Sequence, residues 1–300
     1  MTTLSDPSGG MAALRSSLLP TSPAPAVGGR AGLLSALGWE LRKLAAQART
    51  RYTLLLCLVG PPLVVVVLNN QQTPPKDTLY GRYIHTSGYA MPLLILGFAA
   101  QWVFPLMTSI VAGDIFASED QHGTWKTILT RSVSRSSIFW AKTLAASLFA
   151  LATLIVFATS TIVASLLVVG TQPLEGLTGQ LIPAHDALVL VLSSWALMAA
   201  PLLGFTALAV LLSVKTRNPA VGVAAPLVIG FVLQLSGSIG GVDLLRRVFL
   251  TTPFEAWHGL FVQHRFYDLI TQGLLVSAGW AAVCLAVAYT SLRRRDITGG

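Results

Sequence analysis

Charged side chains are scarce in this 300-residue chain: Asp, Glu, Lys and Arg together make up 11%. A soluble domain carries about a quarter, because it must clothe itself in water. The shortage excludes an ordinary water-facing globule and points to a surface that meets lipid. Cysteine is rarer still. Cys57 and Cys284 both fall within long apolar runs, so no oxidative framework is expected and both read as small packing residues. Glycine never precedes lysine: the five lysines follow Arg42, Pro75, Trp125, Ala141 and Val214. A phosphate-cradling loop ends in Gly-Lys-Ser/Thr, so binding of ATP by such a loop is excluded. No HExxH or comparable metal-ligand spacing occurs either.

What the chain does have is apolar length. Six intervals without any Asp, Glu, Lys or Arg run over 52–75, 83–113, 143–174, 187–214, 218–242 and 269–292. A bilayer-crossing helix needs roughly 20 apolar residues at about 1.5 Å each, and every interval is long enough. The fold class expected is therefore all-α integral membrane. Spans are predicted at about 52–68, 90–112, 144–169, 187–213, 220–235 and 274–290. As placed, they hold no carboxylate, Lys or His, so a proton- or ion-coupled carrier lacks the titrating group it needs inside the membrane. The polar groups left inside them are Gln101, Gln234 and Thr and Ser residues, of which Gln101, Thr108 and Gln234 are the candidates for a substrate path, although such groups more often join helices. Pro61, Pro62, Pro105, Pro201 and Pro226 each remove a helical hydrogen bond and predict kinks or breaks.

Basic residues divide unevenly between the connecting segments. Arg15, Arg30, Arg42, Lys43, Arg49 and Arg51, then Lys126, Arg131, Arg135 and Lys142, then Lys215 and Arg217, then Arg293, Arg294 and Arg295 fall on one side. Lys76, Arg82, Arg246, Arg247 and Arg265 fall on the other. The positive-inside rule places both termini in the cytoplasm of a multi-pass plasma-membrane protein. The net charge of +8 then reads as topology and lipid-headgroup attraction, with no call for nucleic acid.

Within the domain 32–300, residues 32–51 carry Leu33, Leu37, Leu41, Leu44 and Ala48 on a stripe about 80° wide. Arg42 and Arg49 lie opposite, and Glu40, Lys43 and Gln47 line one edge. This is the pattern of an interfacial helix lying against the bilayer before the first span. Residues 1–31, rich in Ser, Pro, Gly and Ala, contain no sustained apolar run after a basic cluster, so a signal peptide is not expected and a disordered tail is. The external segment 236–273 is too apolar for a free loop and too charged for a span. Short re-entrant or interfacial helices are expected there, with Trp257, Phe261, Phe266 and Tyr267 as interface anchors. His258, His264, Glu255 and Asp268 share that segment and are the residues a membrane-embedded enzyme would have to use.

The loop 113–142 is the most patterned stretch. It reads as a helix end carrying acids, a break at Gly123, a short helix with Trp125, Ile128 and Leu129 on its apolar face, and a Ser-capped start to the third span. A short helix held between two spans is a lever that a partner can grip. Asp114, Ser118-Glu119, Gly123-Thr124, Leu129, Ser134-Arg135 and Lys142, preceded by Glu40 and Lys43, follow one another in an order that resembles the ABC type-2 permeases. Where many members have Pro before the Ser-Arg pair, this chain has Ser132-Val133.

The resemblance implies the transmembrane permease of an ABC exporter for an amphipathic small molecule, peptide or lipid. It also implies two copies of an ABC ATP-binding subunit, a second permease copy or a paralogous permease, and contact with the ATPase through Asp114, Glu119, Gly123, Thr124, Trp125, Arg135 and Lys142. Glu40, Arg42 and Lys43 would hold the interfacial helix. No cofactor is expected on this chain, ATP and Mg being bound by the partner. The alternatives are a passive channel or facilitator without an ATPase, and a membrane enzyme.

Overall fold

A computed structural model describes residues 32–75, 77–125, 134–237 and 243–294. The expectations for the 1–31 tail and for Ile128 and Leu129 lie outside them. Among the described residues six helices are long and apolar enough to cross a membrane. A preliminary helix α1, Leu33–Ala46, stops at Gln47, and α2, Ala48–Asn69, follows directly. The remaining spans are α3, Ala90–Gln121; α4, Arg135–Val168; α5, Ala184–Thr216; α6, Pro219–Gly237; and, after a four-residue helix α7, Asp243–Arg246, the last one, α8, Asp268–Arg294. The all-α membrane class is thus observed, with one small addition. Between α4 and α5 a two-residue hairpin pairs β1, Leu174–Glu175, with β2, Leu181–Ile182, antiparallel, Leu174 opposite Ile182.

Two of the helices run well past the charges that bound their apolar runs. α4 begins at Arg135, not near 144, and takes in Lys142; α3 continues through a turn at 113–116 to Gln121, taking in Asp114 and Glu119. The expectation that no ionisable group lies within a span helix is therefore corrected. A charge ends an apolar run in the sequence, but a charge that meets its counter-charge does not end a helix. Ser134 sets the start of α4, its Oγ accepting from the Ser137 N–H at 3.0 Å, a cap worth about 1 kcal/mol.

α3 and α5 form the centre, with 61% and 67% of their most apolar windows buried; α2, α6 and α8, at 22%, 17% and 17%, form the periphery. The outer helices turn Leu55, Leu63, Val67, Val228 and Leu275 outward, an apolar surface far beyond what a water-facing protein displays. α2 packs along α4, and the second half of α5 packs along α8.

The prolines act where they were expected, each in its own way. Pro61 has no N–H for the carbonyl of Cys57, four residues back; Ser160 on α4 donates to that carbonyl instead, at 2.8 Å. Pro105 follows a π-helical turn, Ala99–Val103, whose extra residue relieves the clash of the ring with the preceding turn. Pro226 likewise frees the carbonyl of Gly222, which faces Gly113 of α3. A Cβ on Gly113 would lie 2.2 Å from that oxygen, and one on Gly222 would lie 2.0 Å from the oxygen of Gly113. Only two glycines allow α3 and α6 to touch backbone to backbone. In α5, Pro201 comes just after a break at Met198.

At the end with fewer basic residues, the segment after α6 folds as α7 and a 3₁₀ helix, Thr252–Leu260. Tyr80 stacks on Trp257 (6.2 Å between centroids) and meets Phe261 edge-on at 5.7 Å. The hairpin closes over them, Phe261 O accepting from the Leu177 N–H and from Gln180 Nε2. Trp257 and Phe261 are buried, so they are core residues of this cap and not lipid anchors; Phe266 and Tyr267 do stay exposed. Their aromatic character alone could not separate the two pairs.

Candidate functional site

The opposite end gathers the starts of α2, α4 and α6 with the ends of α3, α5 and α8. Here α1 lies across the start of α4. Its inward side is Ala36, Leu37, Glu40, Leu44 and Gln47, while Leu34 and Trp39 point outward and Arg42 lies over the Trp39 ring at 5.8 Å. The helical period therefore brings Glu40 and Leu44 inward together. The edge of the predicted stripe, not its centre, faces the protein.

Lys142 is fully buried at the foot of α4. Its Nζ donates to Glu119 Oε1 at 2.8 Å and lies 2.9 Å from Glu40 Oε1. Glu119, also buried, takes a second ion pair from Lys43 and a hydrogen bond from the Thr124 hydroxyl. Two lysines thus balance two glutamates. Beside them Arg49, at the start of α2, pairs with the buried Asp114. Burying one such charge costs several kcal/mol, and only close counter-charges with further hydrogen bonds offset it. All partners come from different elements: α1, α2, the end of α3 and the start of α4. The cluster is a clamp, and none of these helices can tilt away without exposing a bare charge.

Gly123 ends the acidic stretch with φ +63°, in the left-handed region, and the Thr124 N–H then returns to the Glu119 carbonyl at 3.1 Å. This turn aims Thr124 at the Glu119 carboxylate and Trp125 inward, where its ring stacks over Phe116 at 6.4 Å. The turn at 113–116 is fixed from α5, Ser213 Oγ accepting from the N–H groups of Phe116 and Ala117 at 3.1 and 3.0 Å. An open cleft of about 520 Å³ lies over the clamp, its rim formed by Lys43, Gln47, Arg49, Ser118, His122 and Thr124.

Of the residues singled out from the sequence, Glu40, Lys43, Asp114, Glu119, Thr124 and Lys142 come together in this clamp. Gly123 and Trp125 shape it. Arg135 stands apart, donating to the carbonyl of Arg293 at 3.4 Å and so joining α4 to the end of α8. Arg42 faces outward. The three path candidates do not converge. Gln101 lines a groove of about 390 Å³ between α3 and α6, where the Trp102 and Phe231 rings are 5.5 Å apart. Thr108 is buried and bonds back to Phe104 O and Pro105 O. Gln234 lies on a separate cavity beside Arg246 and Glu255. Sequence reasoning missed Arg49 and Ser213. Arg49 counts as an outward charge if the preliminary helix is drawn unbroken to 51, but the stop at Gln47 turns it toward Asp114. A lone Ser in an apolar run gives no signal of its own.

The family model for ABC-2 family transporter proteins matches residues 36–235. The chain belongs to the ABC-2 transporter family. It is a permease, the multi-pass membrane component of an ABC transporter, and the family implies an ABC ATP-binding partner. The match begins within α1, takes in the entire clamp, and ends within α6, before the α7 segment and α8. No curated protein sequence matches the permease significantly.

Proposed function

We propose that this permease couples ATP hydrolysis in a separate subunit to export of an amphipathic small molecule, peptide or lipid. Two ATP-binding subunits, carrying ATP and Mg, work with two permeases, either two copies of this chain or this chain and a paralogue. The basic end faces the cytoplasm, both termini with it, because basic side chains are retained on that side. The observation that carries the reading is the clamp on Lys142. It makes α1, the end of α3 and the start of α4 one mechanical unit at the end where the ATPase docks.

A transport subunit without a nucleotide site needs a stiff part to receive force and a compliant part to turn it into motion. The neutralised charges supply stiffness, since sliding any one helix strands a buried charge. The π-turn at Ala99–Val103 and the Pro226 site of α6 supply compliance. Closure of the ATPase pair against the rim at Lys43, His122 and Thr124 tilts the clamped unit, and the spans beyond the π-turn respond. Asp114, Glu119 and Lys142 act inside the unit and hold it together; the rim residues and the turn at Gly123-Thr124 take the contact. Arg135 carries the motion to α8, and Arg42 anchors the outer side of α1.

The direct test is proximity. His122→Cys in the permease, combined with its ATP-binding partner in native membranes, should crosslink to that partner with a short bifunctional thiol reagent. Tyr83→Cys, at the far end, should not. Equal crosslinking at both positions, or none at His122, would refute docking at the clamp.

A further inference from the structure

The end opposite the clamp carries a second charged cluster that the transport reading does not use. α7 ends in Arg246 and is followed by Arg247; both side chains are exposed. Arg246 pairs with Glu255 at 2.9 Å, whereas Arg247 has no acidic partner among the described residues. The stretch is held rigidly. The carbonyl of Arg247 accepts from Gln272 Nε2 at 3.1 Å and that of Val248 from Trp280 Nε1 at 2.9 Å, both from α8. Between this stretch, the 3₁₀ helix and α8 runs an open cleft of about 430 Å³. Its polar end is Arg246, Arg247 and Thr252; its apolar wall is Leu269, Val276 and Pro253.

The surroundings fix its depth. Leu244, Leu245 and Val248 flank the arginines and are 77%, 57% and 56% exposed, and Leu275, one turn further along α8, is 70% exposed. Aliphatic side chains so bare belong in hydrocarbon, and arginines beside them belong at headgroup level. The lining carries two arginines against one glutamate, an excess of one positive charge.

We propose that this cleft binds an anionic phospholipid of the outward leaflet, its phosphate on Arg247 with Arg246 in support and one acyl chain along Leu269 and Val276. Arg suits the role because its planar fork meets two phosphate oxygens at once. A zwitterionic headgroup brings no net charge to answer the excess, and a soluble phosphate leaves the apolar wall unused.

Retention of lipid tests it. The permease is reconstituted in vesicles of phosphatidylglycerol and phosphatidylcholine in equal parts, extracted in mild detergent, and its bound lipid counted by native mass spectrometry. Wild type should keep phosphatidylglycerol preferentially, and Arg247→Gln should keep about fivefold less, the factor expected for one basic side chain near an anionic surface. Arg247→Lys should fall between them. Should Arg247→Gln not yield folded protein, Leu269→Ser, which keeps both arginines and removes part of the apolar wall, should lose the lipid as well. Equal retention by wild type and variants overturns the proposal, and so does full displacement by inorganic phosphate, which would make this a site for soluble anions.

Discussion

Lys142 and Glu119, 23 residues apart in the chain, form an ion pair of 2.8 Å in which both side chains are buried. The pair closes the link between the end of α3 and the start of α4, and Glu40 extends it to α1 at 2.9 Å from the same nitrogen. Lys142→Met leaves two carboxylates facing each other without their shared cation. The loss expected is about 3–5 kcal/mol, the usual result of removing one partner of a buried pair. Thermal unfolding in detergent should register it. Replacing Glu40 and Glu119 by Gln in the Lys142→Met background should restore much of the stability, because the one charge left unpaired, on the half-exposed Lys43, can reach water. Transport should not return with it.

A second prediction concerns the contact of α3 with α6. Gly113→Ala or Gly222→Ala places a methyl carbon 2.2 or 2.0 Å from a backbone oxygen of the other helix. Backbone cannot rotate away as a side chain can, so the helices must part, at a cost of about 1–3 kcal/mol or more. A thiol crosslink between cysteines placed on α3 and α6 should form readily in the parent chain and slowly in either variant. Gly123→Ala, by contrast, meets nothing within 4 Å and strains only the φ of +63°, so its penalty should stay near 1 kcal/mol.

Ser160 supplies the donor that Pro61 denies to the Cys57 carbonyl. Ser160→Ala should cost about 1 kcal/mol, the usual scale of a hydrogen bond between membrane helices. Pro61→Ala in the same background should recover most of it by restoring the N–H within α2. A double-mutant cycle by denaturation reads the coupling directly.

The cap should respond to acid. Burial holds the His258 imidazole below its ordinary value of 6.5, with the charge of Glu255 pulling weakly the other way. A base whose folded value is depressed favours folding while neutral. That contribution is complete above 6.5 and is lost as pH falls through the lower folded value. Proteolysis of the cap should therefore quicken as pH drops below 6.5, and His258→Gln should flatten the dependence.

Much of this was legible in the sequence because charge is so unevenly spread. The six spans announce themselves as charge-free runs, and the break at Gly123 and the cap at Ser134 announce themselves by residue type. The clamp was legible only as a set of residues. Glu40, Glu119 and Lys142 stand out in order, yet nothing in their spacing says that one nitrogen serves both carboxylates. That depends on how α1 lies across α4. The true ends of α3 and α4 were hidden for the same reason: a charge halts an apolar count but, once paired, does not halt a helix. Trp257 and Phe261 misled because an aromatic near a membrane surface packs equally well against lipid headgroups or against Tyr80.

The central claim is that the Lys142 clamp passes force from the ATPase to the spans, and transport per ATP hydrolysed tests it most directly. In vesicles holding the complete permease–ATPase complex, Glu119→Gln should leave the assembly and its nucleotide hydrolysis in place. Substrate moved per ATP should fall to a small fraction of the parent value, since Lys142 then loses its buried counter-charge on α3. An unchanged ratio, with the variant equally well assembled, would contradict the account.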